Sequence, residues 1–416
     1  MAGPTRARRA TPARALIVVK AMLLVVVLFQ RISLPGMNIS IALPAVLGGF
    51  TYLWRLQALS FDRRRGALYL IAVILCSAAT LGTLFGGAEA SRNSLLLLAL
   101  LYAPFAFALS SEIRSQYAVV LRFYSLMMLL LASLGILQLL LQSLGWRYTD
   151  VLGDILPRQL LISGYNTSYP IKYGDNLYKS NGFLFLEPSF FSQFLGLAII
   201  VQLVLRDRYR RLLLFVPALV ATVSGTGLVL VGFGIAALAL RRGPTWAARV
   251  ALSGLLLVGV VLLSPFGTVF KARSTETGSS ASSGNLRFVK PYQVLVQDLL
   301  PSPQRVLLGR GPGSGDRAAQ DYLARTGLPL SNPTLQKALY EYGFFSGLFL
   351  VVFIAYAGAV RPPDSAIASC LLVQQLLLSG GLLQPQTAFA VLLLDSAFRR
   401  DHADTVGNLP RERERA

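Results

Sequence analysis

The sequence predicts an all-α fold: a polytopic helical membrane protein with about twelve membrane segments and two long extracytoplasmic loops. Three observations lead there. Of the 416 residues, 54% are hydrophobic and only 14% charged, too apolar a balance for a soluble domain of this size. Apolar runs recur from residue 15 to residue 398, each approaching the ~20 residues that a helix needs to cross a bilayer. Arginines punctuate the short links between those runs, where basic residues are retained on the cytoplasmic side.

The first run, residues 15–29, follows Arg6, Arg8, Arg9 and Arg14 and has no small-residue cleavage pattern behind it, so it reads as a retained helix. Further spans are expected at residues 39–54, 67–85, 94–109, 121–144 and 189–205. Later ones fall at 250–270, 344–360, 367–383 and, as a short last span, 384–398. Residues 212–240 are long for one helix and short for two, with Ser224-Gly225-Thr226-Gly227 as a breaker in the middle. Arg211 and Arg241 need the same side, so this stretch is expected to enter and return as two short halves. The chain then divides into N-terminal membrane helices (1–144), a first extracytoplasmic loop (145–186) and central membrane helices (187–270, including the hairpin at 212–240). A large extracytoplasmic loop (271–342), C-terminal membrane helices (343–398) and a cytoplasmic tail (399–416) follow.

Composition removes several chemistries. Cys76 and Cys370 both lie in apolar segments, which leaves no disulfide scaffold or thiolate metal cluster. The single histidine, His402, lies in the polar tail, which excludes histidine-ligated zinc, haem and Ser-His-Asp chemistry from the membrane body. The 39 Lys and Arg against 19 Asp and Glu give a net charge of +20. Much of that excess sits in the two long loops: Arg147, Arg158, Lys172 and Lys179 in the first, and Lys271, Arg273, Arg287, Lys290, Arg305, Arg310, Arg317, Arg325 and Lys337 in the second. An external anionic substrate and a plain solvated basic surface both fit this distribution. The tail's Arg-Glu-Arg-Glu-Arg end suits contact with anionic lipid.

The first loop carries Tyr165-Asn166-Thr167-Ser168-Tyr169 and then Tyr178-Lys179-Ser180-Asn181-Gly182, a mixture of aromatic rings and amides suited to sugar rings and hydroxyls, and equally to a membrane interface. It runs into the next helix through Phe185-Leu186-Glu187-Pro188-Ser189. Proline and an acid are ordinary at a helix start; a carboxylate there can also accept a proton from a sugar hydroxyl. In the second loop Arg287 precedes Leu307-Leu308-Gly309-Arg310-Gly311-Pro312-Gly313-Ser314-Gly315. Alternate glycines let backbone N–H groups approach an anion, although neither a Walker loop nor a dinucleotide fingerprint is present. Asn332-Pro333-Thr334-Leu335 and Tyr340-Glu341-Tyr342-Gly343 close the loop, with Glu341 again at a helix start.

The order of these pieces resembles the bacterial O-antigen ligase and Wzy-type polysaccharide polymerase superfamily, over roughly residues 120–360. The pieces are Lys179 to Ser189, Ser224 to Gly227, Arg287 to Gly311, and Asn332 to Gly343. The resemblance implies a multi-pass protein of the bacterial inner (cytoplasmic) membrane. It implies a metal-independent membrane glycosyltransferase, without cofactor, whose donor is an undecaprenyl-diphosphate-linked oligosaccharide. Implied partners are membrane lipid, a flippase and a chain-length regulator, and no nucleic acid. Arg287 matches the family arginine that engages the diphosphate. Glu187 and Glu341 are the candidate general bases, and Lys179, Tyr178, Gly309, Arg310, Gly311 and Asn332 the candidate substrate-binding residues. Two departures stand out. Lys179 occupies a position commonly held by arginine, and Asn332 one where ligases carry histidine. The expected function is therefore that of a polymerase joining lipid-linked repeat units outside the cytoplasmic membrane. Transfer to another acceptor by a ligase, or transport of the lipid-linked glycan, are the alternatives.

Overall fold

Long runs of Leu, Val, Ala and Phe can satisfy their backbone polar groups in a bilayer only as helices, and the computed structural model of this chain is mostly helical. It describes residues 5–171, 176–246, 248–250, 252, 254, 259, 282–378 and 381–400. Lys172, Tyr173, Lys271, Arg273, most of the span expected at 250–270, and the tail from residue 401 lie outside the described residues.

In chain order the helices are α1 (Thr5–Leu28), α2 (Ala42–Arg55), α3 (Arg63–Phe85), α4 (Arg92–Tyr102), a turn of helix α5 (Ser111–Arg114), and α6 (Tyr117–Ser143). After a short α7 (Val151–Ile155) come α8 (Pro188–Leu205), α9 (Leu212–Ala221) and α10 (Gly225–Arg242). The second long loop holds four helices: α11 (Ser283–Phe288), α12 (Lys290–Leu299), α13 (Pro303–Leu308) and α14 (Ser314–Thr326). The chain then forms α15 (Thr334–Ala359), α16 (Ser365–Val373) and α17 (Pro385–Leu394). Five of these, α3, α6, α8, α10 and α15, are long and apolar enough to cross a membrane. The protein is a membrane protein on that ground.

Several expected spans take another form. The run at 94–109 stops being α-helical at Tyr102, where Pro104 opens a 3₁₀ turn, and Phe107–Leu109 becomes a strand. That strand, β2, pairs antiparallel with β1 (Leu59–Phe61), Ser60 opposite Ala108, a small exception to the all-α expectation. The expected span at 367–383 is α16 followed by a π-helical turn at Gln374–Leu378. The large loop is itself helical from Ser283 onward among the described residues, and α15 begins inside it, at Thr334.

The described helices run between two ends of the molecule. At one end, Asp62 caps α3 by accepting from the Arg64 and Arg65 N–H groups and receives Arg399 at 2.8 Å. The buried Arg65 guanidinium there donates to the Ser396 carbonyl (2.9 Å), the Ser396 hydroxyl (2.7 Å) and the Phe107 carbonyl (3.0 Å). Arg114 donates to the Arg399 carbonyl, Arg122 pairs with Asp207, and Arg241 pairs with Asp364, the cap of α16. Arg400 reaches the Pro363 carbonyl. These short-link arginines are thus gathered at one end, whereas Arg31, between α1 and α2, pairs with Asp150 of the first long loop.

Helix α8 lies at the centre, with 78% of its span buried against 22% for α10, and α6, α9, α10 and α16 pack around it. The apolar run at 212–240 breaks at Thr222–Ser224, with Val223 at φ +46°. Arg211 reaches Ser125, which is bonded to Gln202, and Arg242 reaches the Leu203 carbonyl, so both ends of the broken run return to the C-terminal end of α8. The second half is not short: α10 has 18 residues, against 10 in α9. Loss of the backbone bonds at the break is tolerable because Ala221 O there accepts from Ser180 N at 3.1 Å.

Candidate functional site

Every residue proposed from the sequence as catalytic or substrate-binding lies at the end opposite the arginine cluster, where four separated motifs meet two by two. The Glu-Pro-Ser start of α8 meets Ser-Gly-Thr-Gly at the start of α10. The Thr226 hydroxyl donates to Ser189 O (3.1 Å) and lies 2.9 Å from the Ser192 hydroxyl, which accepts from Gly227 N at 3.2 Å. A Cβ on Gly227 would sit 2.2 Å from Ser192 O, so only glycine lets α10 approach this closely. The Leu-Leu-Gly-Arg-Gly turn in the same way meets Tyr-Glu-Tyr-Gly. Gly343, at φ +76°, breaks the helical winding of α15, and the Tyr340 and Glu341 carbonyls accept instead from Arg310 N (2.9 Å) and Gly311 N (3.0 Å). Gly309 and Gly343 face each other backbone to backbone: a Cβ on Gly309 would lie 2.5 Å from Gly343 N, and one on Gly343 2.2 Å from Leu307 O.

Glu187 is the last extended residue before α8, where Pro188 takes the first helical position. Its carboxylate is half-buried, does not cap the helix, and accepts from the Ser189 hydroxyl at 3.1 Å. Burial raises the carboxyl above its ordinary value; Arg287 is the strongest influence in the other direction, ahead of Ser189, the Asn166 N–H and Lys179. Arg287, on α11, has its own value lowered by burial and is held up by Glu187 and Tyr169. One of its guanidinium nitrogens, Nη1, is buried with no hydrogen-bond partner. Lys179 stands over the Tyr169 ring, 5.6 Å from its centre, and its N–H donates to Tyr169 O. Glu187, Arg287 and Lys179 thus form one cluster, two cations to one carboxylate. Tyr178 is held beside it by its backbone: Gln142 accepts from Tyr178 N at 2.7 Å and donates to Tyr178 O at 3.2 Å, while the ring packs on Tyr148.

Glu341 belongs to a second cluster. It is fully buried, its Oε1 accepts from Gly315 N at 3.2 Å, and Lys337 Nζ lies 3.8 Å away while bonding Asp316 at 2.6 Å. Asn332 Nδ2 donates to Gly315 O at 2.8 Å, so Asn332 and Glu341 clamp the two faces of one residue. Arg310 turns away from both carboxylates and pairs with Asp298 at 3.1 Å. The expected use of the glycine turn, N–H groups offered to an external anion, is not what the geometry provides. The Arg310, Gly311 and Gly315 amides are taken by the chain's own carbonyls and carboxylate.

Of the groups that organise these clusters, sequence reasoning marked Tyr165 only as a loop aromatic and passed over Gln138 and Asp316. Gln138 Oε1, deep in α6, accepts from the Ser180 hydroxyl (3.1 Å), Asn181 N (3.1 Å) and Gly182 N (3.0 Å), fixing the segment that carries Lys179. Two glutamines four residues apart in an otherwise apolar stretch, Gln138 and Gln142, were the available signal. Asp316, the one acid in the glycine-rich turn, anchors Lys337. Tyr165 joins the two clusters: burial raises its hydroxyl, and Glu187 and Asp316 both push it further the same way, while Gln384 donates to it at 2.7 Å. Comparison of the chain with protein-family models, with curated proteins and with solved structures gave no match.

Proposed function

We propose that the chain is a polymerase that joins undecaprenyl-diphosphate-linked oligosaccharide repeat units into a surface polysaccharide. In this reading it crosses the bacterial inner membrane about twelve times, with the arginine end in the cytoplasm and the Glu187 and Glu341 clusters outside. The domain division at residues 144, 186, 270, 342 and 398 goes with it. The observation that carries the reading is Arg287, a guanidinium with a buried nitrogen that no protein acceptor satisfies, beside a carboxylate whose burial makes it more basic. An unpartnered buried N–H is expensive, and a phosphate oxygen is its natural acceptor.

In the reaction, an acceptor sugar hydroxyl oxygen bonds to the anomeric carbon of the donor. The bond from that carbon to the diphosphate breaks, and undecaprenyl diphosphate departs with the electron pair. Arg287 meets the charge that develops on the leaving oxygen, and Lys179 supports it from the first loop. The hydroxyl proton passes to Glu187. Glu341, sealed and occupied by Gly315, is assigned to holding the glycine turn in place.

The test is purified protein in detergent with lipid-linked repeat units. Electrophoresis of the products is expected to show a ladder of lengthening chains. Transfer only to a different acceptor would indicate a ligase, and no new glycosidic bond a transporter. Orientation is checked with single cysteines: one at Tyr169 is expected to react with an impermeant external thiol reagent, one at Ser60 not.

A further inference from the structure

A cavity of about 860 Å³ opens on the outer side of the glycine turn, between α12, α14 and the link from α3 to α4. Its charged lining is Glu89, Asp298 and Asp321 against Arg310, Arg317 and Arg325, three of each sign. A site for a diphosphate or another polyanion needs a cationic excess, as around Arg287; this one has none. A hydroxyl group, which donates and accepts at once, matches alternating carboxylates and guanidiniums. Each guanidinium is held within the protein, Arg310 by Asp298 at 3.1 Å, Arg317 by the Glu89 carbonyl at 2.8 Å and Arg325 by the Asp321 carbonyl at 3.2 Å, so the donors are preset without a ligand. Gln297, exposed, and Tyr322, half-buried, add an amide and an aromatic ring. The volume lies within the ~300–1,000 Å³ typical of ligand sites.

We infer that this cavity binds an uncharged oligosaccharide, the stretch of glycan that extends away from the reacting sugar. The inference rests on the polymerase reading for the origin of that glycan. Its position fits the role: Ser314 and Tyr340 line the cavity, while their neighbours Gly315 and Glu341 form the clamp on the other side of the same turn, next to the Asp316 that Tyr165 shares with Glu187. Glycan seated there would lie one layer of backbone away from the Glu341 cluster, which Tyr165 links to the Glu187 cluster where the new bond forms. The cavity thereby acts as a length-holding subsite, keeping the chain engaged between additions.

The test uses the full-length purified protein in detergent on an array of neutral and anionic oligosaccharides, with polymer formation by the same preparation scored in parallel. Binding to neutral oligosaccharides is expected, with affinity lowered about tenfold or more by Tyr322→Ala or by Gln297→Ala, the loss of roughly one good contact, and unchanged by Lys290→Ala outside the cavity. Both test positions are on the surface, so the melting temperature is expected to stay put. Shorter polymers from Tyr322→Ala, at an unchanged rate of first addition, are the functional counterpart. Binding restricted to anionic oligosaccharides, no binding at all, or binding identical in Tyr322→Ala would overturn the cavity while leaving the polymerase reading to its own assay. Neutral binding lost in the variants without any polymer from the unaltered protein would keep the cavity and remove the polymerase.

Discussion

Glu187 and Glu341 lie at the same end of the molecule, and in the sequence they are two copies of one signal, an acid at a helix start. In the structure Glu187 does precede α8, whereas Glu341 lies about two turns inside α15, which begins at Thr334, just ahead of its break at Gly343. Their surroundings separate them. Glu341 is sealed from solvent, its Oε1 taken by Gly315 N and faced by Lys337, while its Oε2 is buried without a hydrogen-bond partner and out of reach of solvent. Glu187 is half-buried, accepts from the Ser189 hydroxyl and is stabilised by the Asn166 N–H, and faces Lys179 and Arg287, whose Nη1 is buried with no hydrogen-bond partner. A carboxylate sealed from solvent and bonded to its own backbone holds a turn together; one half-buried beside an under-used guanidinium is open to a ligand. The glycines divide in the same manner. Gly227, Gly309 and Gly343 are spent on close backbone approach, and the Gly227 and Gly309 amides are taken by Ser192 Oγ and Arg305 O.

The largest effect expected from this contrast is that of Glu187→Gln, which keeps the shape and removes the basic oxygen. Turnover should fall by ~10²–10⁴ with donor binding retained, whereas Glu341→Gln, which keeps an acceptor for Gly315 N, should stay close to the unaltered rate. Single-turnover measurement on both variants checks this; equal losses would erase the distinction. Arg287→Ala should lower the rate by ~10²–10³, the usual range for a charge-assisted contact that strengthens in the transition state, and Arg287→Lys should recover only part. Lys290→Ala, on the same loop, is the control for general basic charge. Smaller effects are expected in stability. Glu341→Leu leaves Gly315 N–H buried without a partner and Lys337 with only Asp316, a loss of ~1–3 kcal/mol readable in thermal melting. Gly343→Ala, forced to φ +76° against Leu307 O, should cost ~1–3 kcal/mol and loosen the glycine turn.

The sequence made legible what depends on periodicity and charge: helices of membrane length, the grouping of short-link arginines, and the break near Ser224. It also marked the motifs that meet, because glycine and proline announce close approach and helix starts. It did not distinguish Glu187 from Glu341, since the difference lies in partners supplied from afar, Arg287 for one and Gly315 for the other. Gln138 and Asp316 escaped notice, and Tyr165 stood out only as one of the loop's aromatics, for the same reason: each acts through contacts at a distance along the chain that no local pattern encodes.

The central claim is that Glu187 and Arg287 act as a coupled pair, and the pH dependence of kcat/KM reads that coupling directly. Burial lifts the Glu187 carboxyl above its ordinary 4.5, so the folded protein binds this proton more tightly than the unfolded chain does. Its contribution to stability is therefore greatest at low pH and declines as pH rises from 4.5 through the raised value. Activity runs the other way, because only the ionised carboxylate accepts a proton: the rate should drop as pH is lowered through the raised value. Arg287 opposes the lift, so Arg287→Ala should move that acidic limb to still higher pH, and Glu187→Gln should abolish it. A limb that stays at the same pH in Arg287→Ala, or survives in Glu187→Gln, would contradict the account.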